Sequence, residues 1–582
     1  MAKRFWPVRE YHANLLKEET GWVRKEPGGR LNVALLYPNT YQVGLANLGL
    51  AVIYDMLNQR ADTLCERAFL PDRAGLKIQQ KAKAPLLTLE SCRPLDEFDL
   101  ILASISFEND YPNLVRMLEM AGLDPWAEKR NGPPVIAGGV AMMLNPEPLA
   151  LLMDGFLLGE AEVILDPFIQ ALEEAPTESR EELLLHLSKN APGFYAPMFY
   201  TPLYHPDGRL KAFTPSQGLP ERIKAPKYTG PAKGMAQSVF QSKGPELADM
   251  KLLEVGRGCG HGCRFCAAGH IYRPPRLGHA DDFMEPALEA AKNGDKIGLV
   301  CAAASDLEGI DHLASEVIRL GGKISVSSLR ADRLGDDLVR ALAQSRHQTV
   351  ALAPEAGSPR LRRIINKHLT EEDLAGGVEK LIQGGVPNIR LYFMVGLPEE
   401  TEEDITEMIG LIKRIRQQVV SLSRARGYLG RVTISMNAFI PKPWTPFQWQ
   451  PMAPLKTVKK RMNRVKKELA GMPNLKIVAD VPKYAELQAV LSRGDRRLAP
   501  LLLTLAKDPN PQRAFAALDL DPGFYADRKR MEDELFPWDF VDHKITKSYL
   551  LAEAKRAEQE KQSPDCNPAK CTRCGVCGHE KA

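Results

Sequence analysis

Seven of the ten cysteines in this 582-residue chain fall in two short runs, 259–266 and 566–577. In a reducing compartment, crowding of this kind favours metal over disulfide bonds. The first run reads Arg257-Gly-Cys259-Gly-His-Gly-Cys263-Arg-Phe-Cys266. Its three thiolates can wrap one metal centre from a single loop. A [4Fe–4S] cluster needs a ligand on each iron, so three cysteines leave one iron open. Zinc would want a fourth protein donor instead, and His261 or His270 could supply it. Gly258, Gly260 and Gly262 let such a loop turn tightly and bring backbone donors near the sulfurs. Phe265 suits shielding of a cluster.

The second run is Cys566-x₄-Cys571-x₂-Cys574-x₂-Cys577. Four thiolates can satisfy either Zn²⁺ or an iron–sulfur cluster. The spacing 571-574-577 is similar to the three-ligand run of bacterial ferredoxins, whereas structural zinc sites more often use two separated knuckles. The reading taken is a second [4Fe–4S] cluster, with zinc as the alternative and His579 as an accessory donor. Cys65, Cys92 and Cys301 stand alone and read as small core residues.

These runs need elements to hold them. Leu31–Tyr37, Phe98–Ser106, Pro134–Ala137 and Gly155–Leu158 read as buried strands with helices between, which implies a parallel, doubly wound sheet. From Lys251 the alternation resumes. Lys251–Val255, Lys296–Val300, Lys323–Val326, Thr349–Leu352, Ile389–Phe393 and Val432–Asn437 are six candidate strands of a partial (β/α)₆ barrel. The fold class is therefore α/β throughout. The expected organisation is an extension (1–30), a doubly wound domain (31–185), a connecting segment with a few short strands (186–247), the barrel (248–454), a helical region (455–562) and a cysteine-rich tail (563–582). The polar helix expected over 545–562 reads as a surface helix or spacer.

The sequence resembles the radical S-adenosylmethionine (SAM) superfamily. The resemblance rests on the cysteine triplet, on Ala267-Ala-Gly-His-Ile-Tyr-Arg-Pro274, and on strand-end segments: Ser327-Ser-Leu-Arg330, Pro354-Glu355-Ala-Gly357, Phe393-Met-Val-Gly-Leu-Pro398 and Phe439-Ile-Pro-Lys-Pro-Trp-Thr-Pro-Phe-Gln-Trp449. It implies a [4Fe–4S] cluster on Cys259, Cys263 and Cys266 whose open iron binds SAM. Phe265 would pack near adenine, and the segment Ala302, Ser305 and Asp306 would meet the SAM amino group. Ser327 and Arg330 would meet ribose and carboxylate, while Glu355 and the Val395–Gly396 backbone would meet ribose and adenine. An electron donor such as flavodoxin or ferredoxin is implied as partner.

Residues 31–175 resemble the cobalamin-binding domain that precedes many such barrels, through Tyr37–Gly44, Ile136–Gly139, Asn145–Pro148 and Asp154–Glu160. Gly138, Gly139 and Gly159 would then permit close approach of a cobalamin. The usual Asp-x-His-x-x-Gly loop, which supplies the lower cobalt ligand, is absent. Nearly the whole chain resembles one bacterial radical SAM family, often accompanied by a small partner protein of unknown function.

The implied function is reductive SAM cleavage and attack on an unreactive C–H bond, with cobalamin-dependent methylation as one form. The alternatives are a methylthiotransferase-like RNA or protein modifier and a non-catalytic Fe–S or corrin-binding sensor or assembly factor. Nothing in the sequence chooses the substrate, and RNA stays among the candidates. Net charge is +4 with signs well mixed, which does not demand a nucleic-acid partner. No apolar run reaches about eighteen residues and no secretory leader is evident, so the expected location is cytoplasmic, away from membranes. The basic run Lys456–Lys467 and the segment Arg493-Gly-Asp-Arg-Arg497 could each bind anions, but read more simply as a solvated helix face and an ion-paired turn.

Overall fold

The computed structural model describes residues 5–176, 179–242, 249–327 and 329–577. His579, Ser328 and the boundary drawn at 247–248 lie outside them. An N-terminal six-stranded sheet runs in the order Thr63–Phe69, Leu31–Tyr37, Leu100–Ser104, Val135–Gly138, Gly155–Leu157, Phe194–Tyr195. All neighbours are parallel except the last pair. Strand Leu31–Tyr37 is buried along nearly its whole length, as expected of a parallel strand covered on both faces.

Two of these strands escape a hydrophobic reading of the sequence. Phe194–Tyr195 lies in the stretch read as a connector. Thr63–Phe69 carries Glu66 and Arg67 in its middle, yet every residue of it is buried. Arg67 pairs with Glu19 and Glu90, each at 2.6 Å, and its guanidinium lies over the rings of Tyr54 and Phe240. Glu66 accepts from Thr88 and Ser91. The charges are inside because they are mutually satisfied, and that disguises the strand in the sequence.

The barrel strands are Met250–Glu254, Lys296–Val300, Lys323–Val326, Thr349–Glu355, Asn388–Val395 and Val432–Ala438. The first three form one parallel ladder and the last three another. A parallel bridge from Leu329 to Leu352 joins the two. Burial alternates along Thr349–Glu355 and Asn388–Val395, so one face packs under helices and the other lines a half-open interior. Capping boxes at Thr370–Asp373 and Thr401–Asp404 start the helices Glu371–Gln383 and Glu402–Ala425.

A seventh parallel strand, Leu475–Ala479, pairs with Val432–Ala438. It corrects the expectation of a helical region over 455–562. Its alternating exposure is that of a short edge strand, and Lys476 on it conceals the apolar pattern.

The basic run forms helix Leu455–Glu468, which buries Val458, Met462 and Val465. Arg461 and Arg464 pair with Glu400, Glu402 and Glu468. In the segment 493–497, Arg496 pairs with Glu147 and Arg497 with Asp495. The first is an ion-paired helix face and the second a largely buried ion-paired turn, with Arg493 and Asp495 inside. No helix among the described residues is long and apolar enough to cross a membrane.

Arg67→Ala leaves Glu19 and Glu90 buried without their cation. It should destabilise the N-terminal sheet by about 3–5 kcal/mol, read as a lower denaturation midpoint with the barrel's transition unchanged.

Candidate active site

The cysteine triplet sits where strand Met250–Glu254 gives way to a loop. The loop is closed at its base by Gly256–Arg257 pairing antiparallel with Arg276–Leu277. Gly258 has φ +84°, and a Cβ there would lie 3.0 Å from the Tyr272 carbonyl oxygen, so the turn requires glycine. Burial raises the Cys259 thiol to about 12, with the Cys263 and Cys266 thiols adding to the effect. Burial likewise raises Cys263 to about 11, against the pull of the Lys367 ammonium.

Among the described residues, no group of three or more His, Cys, Asp or Glu side chains is arranged to hold a metal ion. A single zinc gathers its donors about one point at about 2.3 Å, whereas a cubane takes each sulfur on a separate iron. Three soft, neighbouring thiols on one glycine-rich loop are a donor set that fits a [4Fe–4S] cluster.

His270 turns its Nδ1 to the loop backbone and leaves its Nε2 without a hydrogen-bond partner among the described residues. It is buried, and its Nδ1 lies 2.9 Å from the Cys266 carbonyl. His261 bridges two carboxylates instead, with Nε2 2.5 Å from Asp306 and Nδ1 3.0 Å from Asp565. Burial pushes this imidazole down, but its bonds to Asp306 and Asp565 outweigh burial and hold it at about 9.

Of the strand-end residues, Asp306 reaches the loop through His261, and several others are already engaged elsewhere. Ser305 accepts from the Arg330 amide at 3.1 Å. Arg330 pairs with Asp332 and donates to the His368 carbonyl. Ser327 is stapled to the Cys301 backbone. Ala302 lies exposed in the turn after Lys296–Val300. Gly396 donates its amide to Glu400 at 2.7 Å, and the Val395 carbonyl accepts from Phe439. Neither group of that pair is free. Glu355 holds φ +64° and lies 3.6 Å from Lys367. Phe265 packs on the apolar cluster of Ala356, Leu397, Phe439 and Phe447 at the barrel mouth.

The reading of 545–562 as a surface helix or spacer is corrected. Helix Lys547–Glu558 buries Tyr549, Leu550, Glu553, Ala554 and Ala557, and it straps the cysteine loop. Arg264, fully buried within the triplet, donates to Glu553 at 3.2 Å, to the Lys561 carbonyl at 2.7 Å and to Ser563 at 3.3 Å. Asn366 donates to the His261 and Gly262 carbonyls and accepts from the Ser563 amide. The Cys566 amide donates to the Gly260 carbonyl at 2.7 Å. The two cysteine runs, 300 residues apart in sequence, are thus in main-chain contact.

Within the tail, burial raises the Cys566 thiol, and Cys574, Cys571 and Cys577 add to it. Arg273, buried and bonded to Tyr549, lies within electrostatic reach of Cys574 and Cys566. Sequence reasoning missed His261 as a bridge, Lys367, and the Arg264 strap. Only the conspicuous charge of Arg264 between two cysteines could have hinted at the last.

The cleft between the N-terminal sheet and the barrel is clamped by Arg257. It bonds Glu160 at 2.8 Å, Glu162 at 2.6 Å and Glu254 at 2.7 Å. Arg276 also pairs with Glu160, at 2.6 Å. The half-open cavity there, edged by Ser104, Gly139, Gly159 and Tyr272, measures about 260 Å³. A second cavity of about 50 Å³ lies beside Gly138, Gly139 and Gly159. A Cβ on Gly139, at φ +103°, would strike the Ile105 carbonyl oxygen at 2.4 Å, so the protein's own packing already demands that glycine. Drug-sized ligands occupy about 300–1,000 Å³. A corrin with its nucleotide is larger than this half-open cavity and would extend beyond it.

Arg264→Ala should free the tail while leaving the barrel folded. The buried Glu553 then lacks its cation, a local cost of about 3–5 kcal/mol, and hydrogen exchange at residues 560–577 should approach that of an unprotected chain.

Two family descriptions match the chain: "Radical SAM proteins, N-terminal" over residues 49–197, and "Radical SAM superfamily" over 253–412. An uncharacterised protein of Methanocaldococcus jannaschii is 30% identical over 498 residues, covering 84% of this chain and 94% of that protein. The ribosomal protein uS12 methylthiotransferase of Pelotomaculum thermopropionicum is 28% identical over 192 residues, which is 30% of this chain and 43% of that protein. The chain thus spans less than half of that relative's length. Among solved structures, the cobalamin-dependent S-adenosylmethionine radical enzyme OxsB, with aqua-cobalamin and S-adenosylmethionine bound, aligns over 91% of this chain and 79% of its own. That alignment has 12% identity and a TM-score of 0.42. With a triplet loop at the first barrel strand and a relative matched almost end to end, the chain belongs to the radical SAM superfamily.

Proposed function

We propose that the chain is a radical SAM enzyme that cleaves SAM reductively at a [4Fe–4S] cluster held by Cys259, Cys263 and Cys266, and uses the radical to modify an unreactive C–H position. Membership of the superfamily implies the cluster and SAM. The observation that carries the assignment of residues is the placement of three cysteines on one glycine-rich loop after the first barrel strand. The bound cluster supplies one electron to the SAM sulfonium, breaking a carbon–sulfur bond.

The chain's own residues shape the site. Lys367 places a cation beside Cys263 and favours its thiolate, while Glu355 offers a carboxylate at the same strand end. His261 tethers Asp306 to one side of the loop. Phe265 and its apolar neighbours keep water from the barrel mouth. Arg330 could meet a SAM carboxylate only by leaving Asp332, and adenine contacts to Val395 and Gly396 would displace existing backbone bonds.

Cys566, Cys571, Cys574 and Cys577 are read as a second [4Fe–4S] site in preference to zinc. A second reading has support from the contact between the two cysteine runs and from relatives whose names record methylthio transfer to ribosomal protein uS12 or to tRNA. In that reading the tail site holds the sulfur to be transferred, to RNA or to protein. Cobalamin-dependent methylation is the other form of the reading, with Gly138, Gly139 and Gly159 bordering the half-open cavities at the domain junction. Bound cobalt in the purified protein would move the reading to corrin-dependent methylation.

Anaerobically reconstituted protein should carry about eight iron per chain, the sum of two four-iron sites. Four iron with one zinc would reassign the tail. With SAM and a strong reductant it should release 5′-deoxyadenosine, and Cys263→Ala should abolish release. An intact, iron-loaded protein that makes none would favour the non-catalytic sensor or assembly role.

A further inference from the structure

The inner face of the barrel carries cations that nothing in the protein answers. Strands Asn388–Val395, Val432–Ala438 and Leu475–Ala479 lie side by side, and their register sets the inward residues in rungs. Arg390, Thr433 and Lys476 form the first rung, Tyr392, Ser435 and Val478 the second, and Met394 with Asn437 the third. Ile389, Leu391, Phe393 and Val395 belong to the core under the helices, so Arg390, Tyr392 and Met394 face the half-open interior. On the neighbouring half-sheet, Lys296 and Lys323 are register partners at the starts of their strands.

Arg390, Lys323 and Lys476 are exposed and Lys296 is half-buried. Among the described residues none of these four enters an ion pair, and the side chains of Arg390, Lys476, Tyr392 and Ser435 make no hydrogen bond. Elsewhere the chain pairs its inward arginines, as at Arg67, Arg257 and Arg264. Like charges on neighbouring strands repel, so an anion would complete this face. Its own acid is Asp480, at the upper end, 3.2 Å from the Asn437 amide.

Two inter-strand spacings, about 10 Å, separate the backbones of Arg390 and Lys476. Two long side chains can close that gap on one phosphate, on either side of the Thr433 hydroxyl. From this rung to Met394 is about 13 Å along the strand, towards the strand ends where the cysteine loop lies. Beyond the open edge strand, Val478, Val481 and Tyr484 are 45%, 54% and 41% exposed. The Lys483 ammonium lies 5.0 Å from the centroid of the Tyr484 ring. Tyr484 is one helical turn from Gln488, which bonds Glu108 of the N-terminal domain at 3.0 Å, so the ring sits near the domain junction. Cations at the base, unengaged hydroxyls between and an exposed ring at the mouth suit a nucleic-acid strand, whose phosphates seek cations and whose bases seek rings. A small phosphorylated metabolite needs only one pair of cations, and a neutral peptide strand needs none.

We propose that the barrel takes RNA in single-stranded form. Arg390 and Lys476 clamp one phosphate, Lys296 and Lys323 meet the next outward, and an unpaired base stacks on Tyr484. The inference rests on the proposed function in taking the barrel as the reacting compartment, and names the class of its substrate.

The test is fluorescence anisotropy of a short, labelled, mixed-sequence RNA with the full-length protein, titrated across salt concentrations. The wild type should bind, with affinity falling as salt is raised. Arg390→Gln with Lys476→Gln should weaken binding about tenfold and reduce the slope of log affinity against log salt by about 1.4, two cations on a single strand. Tyr484→Ala should weaken binding about tenfold with the slope unchanged. Lys466→Gln with Lys467→Gln, exposed on helix Leu455–Glu468, should leave both near their wild-type values. A wild type that leaves the RNA free at low salt would overturn the proposal. So would undiminished binding by the inner-face variant, or an equal loss in the helix variant, which would mark general surface charge. Displacement of the RNA by inorganic phosphate, or equally well by poly-glutamate, would also overturn it and assign the face to a metabolite or an acidic protein. Failure of the underlying reading looks different: the wild type then yields no 5′-deoxyadenosine with SAM and reductant, while RNA binding persists.

Discussion

The site depends on one buried guanidinium. Arg264 stands between Cys263 and Cys266, is wholly removed from solvent, and spends its donors on Glu553, Ser563 and the carbonyls of Ile364 and Lys561. A buried arginine is tolerable only where its charge and its hydrogen bonds are met. Here they are met by two separate parts of the chain, the segment after strand Thr349–Glu355 and the C-terminal strap. Satisfying that one group therefore fixes the loop against the barrel and brings the tail onto it. The contact between the cysteine runs follows from the same constraint, since Ser563 and Cys566 are only three residues apart.

A second charge network sets the other boundary. Arg257 opens the cysteine loop and gathers Glu160 and Glu162 from the N-terminal domain with Glu254 from the barrel. Arg276 and burial act in opposition on Glu160, and the arginines win, so its carboxyl stays below the ordinary range. Both sheets present their strand ends to this junction, the place where α/β folds collect ligands. The clamp determines how much room remains there. It couples the geometry of the triplet loop to whatever occupies the interdomain cleft, because the residue that closes the cleft is two positions from Cys259.

Much of this was legible in the sequence. The parallel strands were visible as apolar runs closed by glycine or proline, and the triplet marked the loop after the first barrel strand. What escaped did so for definite physical reasons. Thr63–Phe69 hides its strand character behind Glu66 and Arg67, whose burial makes sense only once Glu19 and Glu90 are in place. Leu475–Ala479 is an edge strand with half its side chains in water. The polar composition of 545–562 suggested a spacer because Glu553 and Tyr549 serve as buried partners for Arg264 and Arg273, contacts that no local pattern reveals. Arg330 and Gly396 follow the barrel strands Lys323–Val326 and Asn388–Val395. Their present partners, Asp332 and Glu400, depend on three-dimensional neighbours.

The account turns on whether Cys259, Cys263 and Cys266 hold a cluster with an iron open to SAM. The direct measurement is electron paramagnetic resonance of the reduced, iron-loaded protein with and without SAM, compared with Cys259→Ala, Cys263→Ala and Cys266→Ala. The account predicts a [4Fe–4S]⁺ signal whose g-values shift when SAM is added, with that SAM-sensitive component missing from all three variants and a second, SAM-insensitive component retained. A spectrum unchanged by SAM in the wild type, or a SAM-sensitive signal that survives loss of the triplet, would contradict it.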